Sequence, residues 1–131
     1  MIVDASAALA ILMAEPDAAR FAGALMHTGQ RTMSAFNWLE VALAVDRRGG
    51  PAARNEFESF FGRAGIEIVP VTHELAALAR AAFGDWGMRR HRAALNMGDC
   101  IAYALARQRS EPLLFKGNDF SQTDIEPALK D

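Results

Sequence analysis

Four short strand-like segments, the first three each followed by long helix-forming stretches, constrain this chain more than any other feature. They are Met1-Ile2-Val3, Thr32-Met33-Ser34, Ile66-Glu67-Ile68-Val69-Pro70-Val71 and Pro112-Leu113-Leu114-Phe115. Short segments of this kind read as strands, the first and last of them buried. Between them the periodicity becomes helical. One helix is expected from Ser6 to Met13, and a second restarts at Glu15-Pro16-Asp17 and runs to about His27, before Gly29. A third spans Ala35 to Arg48 until Gly49-Gly50-Pro51 breaks it, and a fourth spans Ala52 to Gly62. Thr72 caps a fifth running to about Trp86. Gly87 to Met97 is irregular and basic, and Gly98-Asp99 opens a sixth helix, Cys100 to Arg109. The order β-α-α-β-α-α-β-α-α-β predicts an α/β domain with a mostly parallel sheet. No repeat or linker divides residues 1–131, so one domain is expected.

Composition narrows the function. The chain is 51% hydrophobic, which suits a packed core and not a disordered segment. No apolar run approaches the roughly 20 residues that a membrane helix needs. No basic, apolar leader precedes Asp4, and the single Cys100 has no partner within the chain, so a cytoplasmic protein is expected. The net charge of −2 is no basic stripe of the kind that grips duplex DNA. It nevertheless conceals the knot Arg89-Arg90-His91-Arg92 and an isolated Lys116 in an apolar tail.

Parallel sheets bind ligands beyond the carboxyl ends of their strands, and this sequence puts acids there. Asp4 follows the first strand; it could cap the next helix, with Ser6 beside it. Glu40 flanks an expected apolar face of Phe36, Leu39, Leu43 and Val45, where a lone carboxylate is costly without a cation or a metal. Asp99 opens the most apolar helix, where capping is the alternative. Asp119 lies in Gly117-Asn118-Asp119 after the last strand, where turn chemistry is the alternative, and Asp124 is a fifth acid at a further turn. Gathered on one edge, such oxygens suit Mg²⁺, which keeps several waters and takes few carboxylates. Two-metal phosphodiester cleavage needs a cluster of this type.

The segments Ile2-Val3-Asp4-Ala5-Ser6-Ala7, Ser34-Ala35-Phe36-Asn37-Trp38-Leu39-Glu40, Leu95-Asn96-Met97-Gly98-Asp99-Cys100-Ile101-Ala102-Tyr103-Ala104 and Pro112 to Phe120, with Thr123-Asp124, occur in this order. Together they resemble the PIN-domain nucleases, and among them the VapC toxins of bacterial toxin–antitoxin pairs, over nearly the whole chain. The resemblance implies an α/β/α sandwich around a central, mostly parallel sheet of four to five strands. It implies a toxin that is a metal-dependent endoribonuclease, leaving 5′-phosphate ends by attack of metal-activated water. Mg²⁺, with Mn²⁺ as a substitute, is the implied cofactor. RNA, a VapB-like antitoxin and a second copy of the chain are the implied partners.

On that resemblance Asp4 and Asp99 hold the metal, and Glu40 holds it through water or orients the attacking water. Relatives often carry an acid where this chain has Gly117, so Asp119 is the provisional fourth acid. Ser6 and Asn96 are expected to hydrogen-bond the acids. Arg89, Arg90, Arg92 and Lys116 are expected on RNA phosphates, against a plain solvated loop. Trp38, Trp86 and Cys100 read as core, and His27, His73 and His91 have neither metal spacing nor a nucleophile to serve. The apolar excess of Leu9, Leu12, Met13, Phe21 and Leu25 suits either core or a partner groove. A phospho-acceptor domain would need paired acids after the first strand and an Asp after Val71. A haloacid-dehalogenase-type phosphatase would need an acid at Ser6. A catalytically idle PIN-like binding module is the remaining rival.

Overall fold

The computed structural model describes residues 1–26 and 29–130. Its elements are β1 (Ile2–Val3), α1 (Ala5–Leu12), α2 (Ala18–Met26), β2 (Arg31–Ser34), α3 (Ala35–Arg48), α4 (Pro51–Ala64), β3 (Ile66–Val69), α5 (His73–Trp86), α6 (Met97–Arg109) and β4 (Leu113–Leu114). A 3₁₀ turn at Phe120–Gln122 follows. This is the order that the apolar segments predict. The expected end of the second helix at His27 lies outside the described residues.

The sheet has four strands in the order β3-β2-β1-β4, and every pairing is parallel. Successive strand residues point to opposite faces, which divides the core in two. Val3, Met33 and Leu114 pack with α1, α2 and α4 on one side. Ile2, Leu113 and Val69 pack with α5 and α6 on the other. The result is the expected α/β/α sandwich. β1 and β2 are laid down side by side, then the chain returns across β1 to place β4 on its far side. The strand order therefore reverses at β1, and the cleft at such a reversal opens beyond the strand's carboxyl end. Asp4 stands there.

Caps set the element boundaries. Asp4 caps α1, Ser34 caps α3, and Thr72 caps α5 with its side chain accepting from the Leu75 amide at 3.0 Å. α4 runs past Gly62 and ends where Gly65 takes a left-handed φ of 65°, a conformation that glycine adopts without penalty. β3 stops at Val69 and not Val71, because Pro70 has no N–H for the ladder. α6 begins at Met97 and not at Gly98-Asp99. Asn96 is its cap, and the Asp99 carboxylate answers from the third helical position to complete a capping box.

The buried stripe of α3 corrects the expected one. Leu39 and Leu43 are 45% and 47% exposed, whereas Asn37, Val41, Ala44 and Val45 are buried. The polar amide of Asn37 disguises a stripe that otherwise has ordinary i, i+4, i+7, i+8 spacing. Trp38 packs its ring 5.6 Å from Phe57, and Trp86 lies against His91 and Tyr103, both in packing roles. Leu12, Phe21 and Leu25 belong to the core, while Leu9 and Met13 are only partly buried.

Candidate active site

The site is assembled from three element ends. Asp4 comes from the end of β1, Glu40 from the second turn of α3, and Asp99 from the first turn of α6. Asp4 is 4% exposed. Its Oδ2 accepts from the Ser6 amide at 3.0 Å and from the Ser6 hydroxyl at 2.6 Å. The capping alternative for Asp4 is thus correct. Ser6 makes a further bond, in which its Oγ accepts from the Lys116 amide at 2.9 Å. One hydroxyl therefore ties the loop after β4, which carries Asp119, to the Asp4 carboxylate.

The three carboxyls resist ionisation. Burial pushes Asp4 up to about 6, against hydrogen bonds from Ser6, and the Glu40 charge adds to the rise. Burial likewise pushes Asp99 up to about 6, opposed by the Asn96 amide and reinforced by Asp4 and Asp119. Glu40 is raised by burial, eased by the Asn37 amide and raised further by Asp99. Each acid feels another, and among the described residues no cation figures in the charges that shift them. Desolvated like charges without a counter-charge are the electrostatic setting of a cation site. Among the described residues, no three such groups already close a cage. A cation here would therefore reach part of the set through water, as Mg²⁺ commonly does.

The remaining expected residues separate clearly. Asp119 is exposed on the loop, close enough for its charge to act on Asp99. Asp124 points elsewhere: its Oδ1 accepts from the Tyr103 hydroxyl at 2.5 Å. Asn96 serves Asp99 as expected, since its Oδ1 accepts from the Asp99 amide at 2.9 Å and its own amide donates to Asp99 Oδ2 at 3.1 Å. Lys116 is paired with Glu15 at 2.7 Å and Asp17 at 3.0 Å. Arg89, Arg90 and Arg92 are exposed on the loop before Asn96, which a Gly87–Leu95 bridge closes at its base. Cys100 is buried, and its thiol is pushed up to about 11 by burial and the Asp99 charge, so it is inert as a nucleophile.

Sequence reasoning missed two participants, Asn37 and the backbone of Gly98. Asn37 is 0% exposed and donates from Nδ2 to Glu40 Oε1 at 2.8 Å and to the Gly98 carbonyl at 3.1 Å. A Cβ on Gly98 would collide with both carboxylate oxygens of Glu40. The signal is present in the three-residue steps Ser34, Asn37 and Glu40, which stack on one side of a helix.

Comparison with known proteins identifies the fold family. The PIN domain family model matches residues 1–126. Ribonuclease VapC30 of Mycobacterium tuberculosis is 45% identical over 95% of each chain. Ribonuclease VapC28 of the same organism is 45% identical over 98% of each. Among solved structures, the Mycobacterium tuberculosis toxin VapC20, described as cleaving the sarcin–ricin loop, superposes with a TM-score of 0.74 at 18% identity, covering 95% of both chains. A toxin–antitoxin complex from Klebsiella pneumoniae gives a TM-score of 0.69 at 15% identity, over 94% of this chain and 92% of that one. These two share the fold.

Proposed function

The chain belongs to the PIN-domain family, and from that premise we propose that it is a VapC-type toxin, an endoribonuclease whose Asp4, Glu40 and Asp99 hold a divalent cation. The observation that supports the reading is the mutual repulsion of these three carboxyls near the end of β1, where only acids figure among the charges that shift them in the described residues. Mg²⁺, or Mn²⁺ in its place, would supply a water of lowered pKa and positive charge at the scissile phosphate. Asp4 and Asp99 provide the direct oxygens. Glu40, reaching in from α3, takes an ion-bound water or orients the attacking one. Asp119, exposed and further out, acts through water. Ser6 and Asn96 hold the Asp4 and Asp99 carboxylates in place, as partners of metal ligands do.

Arg89, Arg90 and Arg92 bind RNA phosphates, and no ion pair among the described residues competes for them. Lys116 reaches RNA only by leaving Glu15 and Asp17. The products carry 5′-phosphates. The partners are a VapB-like antitoxin and a second copy of the chain, and the place of action is the cytoplasm. Among the described residues no helix is long and apolar enough to cross a membrane. The test is cleavage of single-stranded RNA by purified protein with Mg²⁺, with EDTA, and as Asp4→Ala. Cleavage should require the metal and Asp4; persistence in either arm overturns the reading.

A further inference from the structure

We infer that Asn37 is the positioning residue of this site: its amide clamps the Glu40 carboxylate against the start of α6 and so fixes how far Glu40 stands from Asp99. The inference rests on the metal-holding role proposed for these acids.

Three contacts leave the side-chain amide no freedom, and a fourth, from the Asn37 backbone, holds Ser34 beside it. The Ser34 hydroxyl donates to Asn37 Oδ1 at 2.7 Å and accepts from the Asn37 backbone N–H at 3.0 Å. With Oδ1 facing Ser34, Nδ2 must face the other way. There its two hydrogens go to Glu40 Oε1 and to the Gly98 carbonyl. The donor capacity of the group is then exhausted. A carbonyl at the Gly98 position already accepts from the helical N–H four residues on. The bond from Asn37 is therefore not needed to complete α6. It joins α3 to α6 at the point where Glu40 and Asp99 approach.

Such a clamp is required because electrostatics pushes the other way. Asp99 and Asp4 both repel Glu40, whose long side chain could swing towards solvent. A neutral amide can hold the carboxylate inward without competing for the ion as a lysine or arginine would. Gly98 supplies the matching notch, since any Cβ would occupy the space of the Glu40 oxygens. Clamp and notch together prescribe one carboxylate position.

The test compares wild-type protein with Asn37→Ala, Ser34→Ala and Val45→Ala, the last a buried change on α3 away from the acids. Mn²⁺ binding is measured by the loss of the free-ion electron paramagnetic resonance signal, beside RNA cleavage. Asn37→Ala should weaken Mn²⁺ binding on the order of 10-fold or more. Ser34→Ala should act in the same direction by less, and Val45→Ala should bind as wild type does. Wild-type affinity in Asn37→Ala overturns the inference and leaves the nuclease reading standing. So does an equal loss in Val45→Ala. Should Asn37→Ala fail to fold, unchanged affinity in Ser34→Ala overturns it. No Mn²⁺ binding by the wild-type protein overturns both readings.

Discussion

The carboxylate of Glu40 occupies the space that a side chain on Gly98 would fill, with both oxygens closer to the place of a Cβ than non-bonded atoms can approach. The atoms in the way are the far end of a flexible chain and not backbone. Gly98→Ala should therefore move Glu40 and leave the fold intact. Alanine is also the better helix former, by roughly 0.8–1 kcal/mol at an interior position and by less in the first turn, where Gly98 lies. The expected result is an unchanged or raised melting temperature with RNA cleavage lowered at least about 10-fold. Melting and cleavage measured on one preparation decide it, and full activity in a stable Gly98→Ala protein sinks the claim.

How much of this is legible in the sequence depends on the interaction. The strand and helix order is readable because doubly buried strands and amphipathic helices differ in period. Asp4 and Asp99 are readable because strand ends and helix starts are local features. The α3 stripe is misread because Leu39 and Leu43 look buried to any pattern that ranks by hydrophobicity, while the buried member is Asn37. Asn37 makes sense only beside Gly98, a contact between α3 and α6 that no local pattern contains. Asp124 can be parted from Asp119 only by knowing that Tyr103 faces it.

Asp4 sets the pH behaviour of the metal-free protein. Folding raises its carboxyl from 3.8 to about 6, so the fold favours the protonated form. That contribution is complete below about pH 3.8 and is lost as the pH rises through about 6. In EDTA the melting temperature should accordingly carry a falling component between these values, to which Asp99 adds in the same sense. Asp4→Asn removes the charge and keeps a good cap. At pH 7.5 in EDTA it should be more stable than wild type by on the order of 2 kcal/mol, while cleaving nothing in Mg²⁺. Added Mg²⁺ should stabilise the wild type alone. An Asp4→Asn protein no more stable than wild type in EDTA would contradict the burial argument.

The two late acids have different expected costs. Asp119 faces Asp99 from an exposed loop, so Asp119→Asn should lower cleavage and barely change melting. Asp124 accepts from Tyr103, which packs in the α5–α6 core, so Asp124→Asn should weaken that bond and lower the melting temperature with cleavage retained. The net loss is about 1 kcal/mol, typical of a hydrogen bond to a charged group that is partly exposed. The reverse pattern, activity lost with Asp124 and kept without Asp119, would reassign the fourth acid.

The last expectation concerns how RNA is held. Each phosphate contact on a single strand contributes about 0.7 to the slope of log affinity against log salt concentration. Arg89, Arg90 and Arg92 are exposed and form no ion pair among the described residues, whereas Lys116 is neutralised by Glu15 and Asp17. Replacing the three arginines by alanine should therefore reduce the slope by up to about 2, and Lys116→Ala should change it little. Binding of a single-stranded oligonucleotide, followed in EDTA to prevent cleavage, gives the slope directly. Should the triple variant keep the wild-type slope, the arginines form only a solvated loop and the strand must cross the acidic cleft along another path. A slope reduced by Lys116→Ala alone would instead mean that RNA draws Lys116 away from Glu15 and Asp17, freeing the loop that Ser6 ties to Asp4.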